Sequence, residues 1–124
     1  MSLRLKIIKR TEYLVANFSG AGSVDEMSQQ FTALAEQCRD SKKKQLLINV
    51  SALQTAPTFS ERYRTGERAA VFASQGIKIA LVGTPDQLDP GLLGELVTRN
   101  RGVDGRVLSD MAAAKKWLLE KPGS

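Results

Sequence analysis

The sequence predicts an α/β protein: a singly wound mixed sheet of about five strands, opened by an antiparallel hairpin and continued in parallel, with four helices. Three observations carry that reading. After the hairpin, β-like and helix-period segments take turns along the chain, which demands parallel strands joined by crossover helices. Two capping boxes, Ser23-Val24-Asp25-Glu26 and Thr58-Phe59-Ser60-Glu61, mark helix starts where that alternation needs them. The strands are apolar on one face and mixed on the other, as expected if strands added in sequence with right-handed crossovers put every helix on one side.

The hairpin comes from Leu3, Leu5 and Ile7 alternating with Arg4, Lys6 and Ile8, a polar break at Arg10-Thr11-Glu12, and a second β-rich run from Tyr13 to Phe18. Ser19-Gly20-Ala21-Gly22 is a loop, and the first helix starts near Val24. Its apolar stripe, Val24, Met27, Phe31, Leu34, Cys38, steps by threes and fours to the Asp40–Lys44 stop, where cations suit a helix C-terminus. The buried strand Leu46-Leu47-Ile48-Asn49-Val50 follows. The second helix opens at Thr58, is expected to bury Phe59, Tyr63, Gly66, Ala70 and Ala73, and stops at Gly76. Strand Ile77 to Val82 leads through Gly83-Thr84-Pro85 to a third helix with Asp89 as cap and Pro90 in its first position, running to about Asn100. A short strand, Arg106-Val107-Leu108, precedes a last helix capped by Ser109 or Asp110, with Met111, Ala114, Trp117 and Leu118 facing inward. The expected core includes Phe31, Leu34, Ile48, Phe72, Ile79, Leu96 and Trp117.

Residues 1–124 read as a single domain, long enough to bury roughly two thirds of the unfolded surface without disulfide or metal. The chain has no histidine and one cysteine, Cys38, which removes His-assisted triads, thiol-imidazole pairs, the usual zinc sets and any internal disulfide. Cys38 itself sits on the apolar stripe and reads as a small core residue. Gly20-Ala21-Gly22 has no following Gly-Lys-Ser/Thr, so no nucleotide loop is read there. No catalytic constellation and no cofactor are implied.

No apolar run approaches the ~18 residues of a membrane span, and the N-terminus lacks the apolar core of a secretory signal, so a cytoplasmic location without stable membrane association is expected. The net charge of +5, from 18 basic and 13 acidic residues, is spread along the chain without the interleaved aromatics that stack bases. No nucleic-acid partner is expected.

Over residues 3 to 120 the organisation resembles the STAS-type fold of bacterial anti-sigma factor antagonists, the SpoIIAA-like proteins. It is more closely similar to a small bacterial STAS/SEC14-like group through Leu46-Leu47-Ile48-Asn49-Val50-Ser51, Gly66-Glu67-Arg68-Ala69-Ala70, Arg99-Asn100-Arg101-Gly102 and Ala114-Lys115-Lys116-Trp117-Leu118. The resemblance implies a non-enzymatic regulatory module that works through protein–protein interaction. The antagonists carry Asp-Ser-Ser-Gly at the start of the second helix, with the second serine phosphorylated. Here the matching stretch is Pro57-Thr58-Phe59-Ser60, with Pro57 in the acidic position and Phe59 in the phosphoacceptor position, so the phosphoserine switch is expected to be absent. The SEC14 label implies a lipid-like ligand.

The expected functional surface is the loop from Ser51 to Ser60 with the arginines near it: Thr58, Ser60, Arg62, Arg64, Arg99 and Arg101. Thr58 reads first as a helix cap. Arg64 and Arg68 share a helix face while Arg62 points elsewhere, and Arg99 and Arg101 lie near a helix C-terminus. A protein partner is the first reading of this surface and a small anionic or apolar, lipid-like ligand the alternative, since arginine clusters that meet in space grip phosphate or carboxylate. The mixed sheet face with the hairpin edge is expected to be partly apolar and to mediate homodimer formation or partner docking.

Overall fold

A computed structural model describes residues 3–53, 58–85, 87, 99 and 101–120. Five strands form one sheet in the order β1-β2-β3-β4-β5. β1 (Leu3–Lys9) and β2 (Leu14–Gly20) make the antiparallel hairpin, and β3 (Gln45–Leu53), β4 (Lys78–Val82) and β5 (Gly105–Leu108) add in parallel. Sequential strand order and the parallel continuation are as the sequence predicts.

Strand alternation sorts the interior into two cores. Leu14, Ala16 and Phe18 of β2, Leu46, Ile48 and Val50 of β3, and Ile79 of β4 face one side with Met27, Phe31, Leu34, Cys38 and Phe72. Phe31 and Phe72 meet with ring centroids 5.2 Å apart at an interplanar angle of 53°, a tilted pair that gains beyond its buried area. Burial pushes the Cys38 thiol up to about 11, in keeping with its reading as a core residue.

Val15, Leu47, Ala80 and Val82 face the other side, against Ala114 and Leu118 of α4 (Met111–Leu118). The helices are therefore not all on one face. α4 follows the last strand rather than connecting two parallel ones, so the crossover rule does not govern it, and the apolar positions on the second face draw it there. Trp117, expected in the core, is half-buried in this second cluster. The sheet holds α4 by its C-terminal end: Lys78 Nζ donates to the carbonyls of Trp117 at 2.7 Å and Glu120 at 3.2 Å and lies 4.3 Å from the Trp117 ring centre. Gln45 Nε2 donates to the Leu118 carbonyl at 2.9 Å. Side chains from β3 and β4 thus add hydrogen bonds to carbonyls at the C-terminal end of the helix.

The first helix divides into α1 (Val24–Ser28) and α2 (Phe31–Asp40). The Ser28 hydroxyl donates to the Asp25 carbonyl at 3.0 Å and the Gln30 amide bonds back only to Met27, which tightens the turn. Met27, Phe31, Leu34 and Cys38 remain buried across the break, so the stripe survives it. The second helix runs as α3 (Phe59–Arg68) and then tightens into a 3-10 helix over Ala69–Gln75 before Gly76, which takes φ +63°. Its buried side is Thr65, Gly66, Ala69 and Phe72, not the Tyr63 side expected: Tyr63 is 42% exposed, while Thr65 can be buried because its hydroxyl donates to the Glu61 carbonyl at 2.7 Å. The expected third helix, with Leu96, falls almost wholly outside the described residues. Asp110 supplies the last cap, its carboxylate accepting from the amides of Ala112 and Ala113.

Lys42 ends α2 in the left-handed region at φ +58°, where the Lys43 amide reaches the Cys38 carbonyl at 2.8 Å. A side chain at this position is strained and Lys42 is exposed. Lys42→Gly is expected to stabilise the protein by about 0.5–1 kcal/mol, read as a higher urea midpoint at unchanged slope, after the gain is reduced by glycine's extra freedom in the unfolded chain. Phe72→Ala is expected to cost about 3–5 kcal/mol in the same measurement.

Candidate interaction surface

The N-terminus of α3 is built as the capping box predicts. Thr58 Oγ1 accepts from the Glu61 amide at 3.2 Å, and the Glu61 carboxylate accepts from the Thr58 amide at 2.9 Å. Thr58 is thus a cap, and Glu61 puts negative charge where an anionic ligand would otherwise meet helix donors.

A second anchor fixes the flank of the helix. Arg64 Nε donates to the Asp25 carboxylate at 2.8 Å, and an Arg68 guanidinium nitrogen donates to the same carboxylate at 2.7 Å. That Arg68 nitrogen also reaches the Asp25 carbonyl at 3.0 Å and Ser28 Oγ at 2.8 Å, with Ser28 fully buried. The pairing joins α1 to α3. The hydrogen bond from Arg64, with Arg68 adding to it, holds the Asp25 carboxyl below the usual carboxylate range despite an opposing contribution from desolvation. The same bond raises the Arg64 pKa.

The arginines that the sequence proposes as one surface are distributed. Arg64 is turned to Asp25. Arg101 meets α3, where it pairs with Glu67 at 2.8 Å, both side chains being more than two-fifths exposed. Arg99 Nε reaches the Gly105 carbonyl at 3.3 Å. The Arg62 side chain and residues 54–57 of the loop lie outside the described residues. What the structure gathers on one side of α3 is Ser60, Tyr63, Arg64 and Glu67, spaced at three and four, with Arg101 at the margin. In the sequence Tyr63 reads as core, because an aromatic at helical spacing does, and nothing local signals that Thr65 takes the buried place.

On the apolar side of the sheet, Phe31, Ile48, Phe72, Ile79, Leu81 and Val107 are among the residues lining a cavity of about 60 Å³. No helix among the described residues is long and apolar enough to cross a membrane.

The fold as a whole is similar to solved structures. A serine-to-glutamate variant of RsbS from Moorella thermoacetica superposes with a TM-score of 0.57 at 20% identity, covering 93% of this chain and 94% of that one. A Shewanella loihica protein of the DUF3478 family, described as having a SpoIIAA-like fold, matches with a TM-score of 0.52 at 18% identity over 94% of this chain and 93% of that one. The fold is SpoIIAA-like. No family model matches the sequence, and no curated protein is similar enough to count as a relative. The resemblance read from the sequence therefore holds for the SpoIIAA-like architecture, with four described helices packed on both faces of the sheet.

Two outcomes test the α3 mounting. Thr58→Ala is expected to cost about 1 kcal/mol of stability through the lost cap. Asp25 has a depressed pKa in the folded state, so its contribution is present above the ordinary carboxylate pKa and is lost as pH falls through the folded value. Between about pH 5 and about pH 2, Asp25→Asn is expected to flatten the fall in urea midpoint that the wild type shows.

Proposed function

We propose that this protein is a non-enzymatic regulatory module of the STAS type that docks a protein partner on the exposed side of α3. The observation that carries the reading is Tyr63, 42% exposed on a helix fixed at its start by a capping box and along its flank by Asp25. A large side chain on a rigid base, ringed by Ser60, Glu67 and Arg101, has the make-up of an interface anchor: aromatic area at the centre and a polar rim. The charges at the rim are already paired within the chain, which suits a protein surface better than a bare anion. With Pro57 and Phe59 in place of the acid and phosphoacceptor, the docking runs without the phosphoserine switch.

A lipid-like ligand has less support, because the apolar cavity of about 60 Å³ is well short of the few hundred Å³ of ordinary ligand sites. The absence of histidine leaves general acid–base work to side chains whose usual pKa values lie far from neutrality.

The test is affinity capture from the source organism with the wild type, followed by binding measurements on the purified partner with Tyr63→Ala and Ser60→Asp. Tyr63→Ala is expected to weaken the partner at least tenfold, at a melting temperature within a few degrees of the wild type. Ser60→Asp is expected to be nearly neutral for folding, since negative charge in the first turn agrees with the helix dipole, yet to weaken an acidic partner by repulsion. Unchanged affinity in both variants removes α3 as the docking side.

A further inference from the structure

We propose that the outer edge of β1 is a second docking surface, which accepts an extended, acidic segment of a partner protein as an added strand. β1 has seven residues and, among the described residues, pairs on one side only, with β2. An edge strand presents every other N–H and C=O outward, a ready template for another chain. The opposite edge, β5, has four residues and is mostly buried or half-buried, so it offers far less.

The two faces beside this edge differ, and together they specify the occupant. On one face Arg4 and Lys6 are exposed and make no ion pair or side-chain hydrogen bond among the described residues. α4 packs mainly against β3, β4 and β5, and both cations stay exposed beside it. Across β2 their register neighbours are Ser19 and Asn17, the latter bonded to Asn49 at 3.0 Å, so this part of the face is polar and cationic. On the other face, Leu3 and Leu5 line a groove of about 280 Å³ with Glu26, Gln29 and Gln30, and Leu5 is 36% exposed. Gly22 brings the β2–α1 loop hard against β1 here: a Cβ at this position would lie 2.6 Å from that of Leu3.

An added strand thus meets two cations on one side and, on the other, two leucines rimmed by amides and one carboxylate. Because strand side chains alternate, the fitting sequence places Asp or Glu at every second residue and apolar residues between. A second copy of β1 does not fit. Keeping apolar side on apolar side pairs the Arg4, Lys6, Ile8 set with itself, and like charges directly opposite are destabilising. The expected dimer through the mixed face is also disfavoured, since α4 covers much of its apolar surface and Arg4, Lys6, Asn17 and Asn49 make the rest polar.

The experiment uses the full chain and three fluorescein-labelled probes: a peptide of seven alternating Glu and Val residues, the same peptide with Ser for Val, and the first peptide with alternate backbone nitrogens methylated. Fluorescence anisotropy is expected to show the Glu/Val peptide binding at least tenfold more tightly than either control, and Arg4→Glu with Lys6→Glu is expected to abolish that advantage. Both positions are exposed, so the double variant should keep its melting temperature, which circular dichroism checks. Hydrogen exchange is expected to slow at β1 amides on peptide addition and to stay unchanged along α3. Equal binding of the methylated peptide overturns the proposal in favour of plain charge attraction. Protection appearing along α3 instead, or a wild-type dimer in sedimentation that the charge reversals dissociate or tighten, overturns it as well. Since the probes report on β1 alone, failure here leaves the α3 proposal to its own measurement.

Discussion

Burial of β3 on both faces is the constraint on which the rest of the structure depends. Leu46, Ile48 and Val50 enter the larger core while Leu47 enters the smaller one, and all four are at most 3% exposed. Up to Val50 the apolar residues of the strand point both ways, so both layers of helix must be present before that area is removed from water. The neighbours follow from it. β2 and β4 pair on either side in parallel, α2 and the 3-10 segment close one face, and α4 closes the other.

That arrangement fixes what can be offered to a partner. The polar end of β3 is tied off internally, with the Ser51 amide and hydroxyl both donating to Asn49 Oδ1, at 3.1 and 2.7 Å. Gln87 is buried and gives its side-chain amide to the carbonyls of Val50 at 2.8 Å and Leu53 at 3.2 Å, which ties the segment after β4 to the end of β3. The start of α3 is held by its own capping box. Its exposed side can present Tyr63 without the helix shifting, because Asp25 joins it to α1 through two arginines one helical turn apart.

Local chemistry was legible in the sequence; long-range pairing was not. Both capping boxes form with their reciprocal hydrogen bonds because every partner lies within three residues. Strand alternation located both faces of the sheet. It could not say which face the C-terminal helix would choose, since no crossover handedness constrains a helix after the last strand. The break between α1 and α2 left no mark in the apolar stripe, which continues through it. An aromatic at helical spacing such as Tyr63 reads as inward-facing, whereas Thr65 takes the buried place by bonding to its own preceding turn. The pairing of Arg68 with Asp25, 43 positions apart, converts an apparent anion site into an internal strut. For the surface as a whole, residue types were readable and their neighbours were not.

The placement of α4 has a consequence for biosynthesis. During translation, β2, β3 and β4 emerge with Leu47, Ala80 and Val82 on a face that no other described helix covers until residues 111–118 have cleared the ribosome. The larger core can assemble earlier from the preceding helices, so the nascent chain passes through a stage with one closed face and one open, sticky face. Lys78, which later collects the terminal carbonyls of α4, sits on that open face from the start. Until the helix arrives, its charge acts as a gatekeeper beside the uncovered apolar positions, against premature association between neighbouring nascent chains.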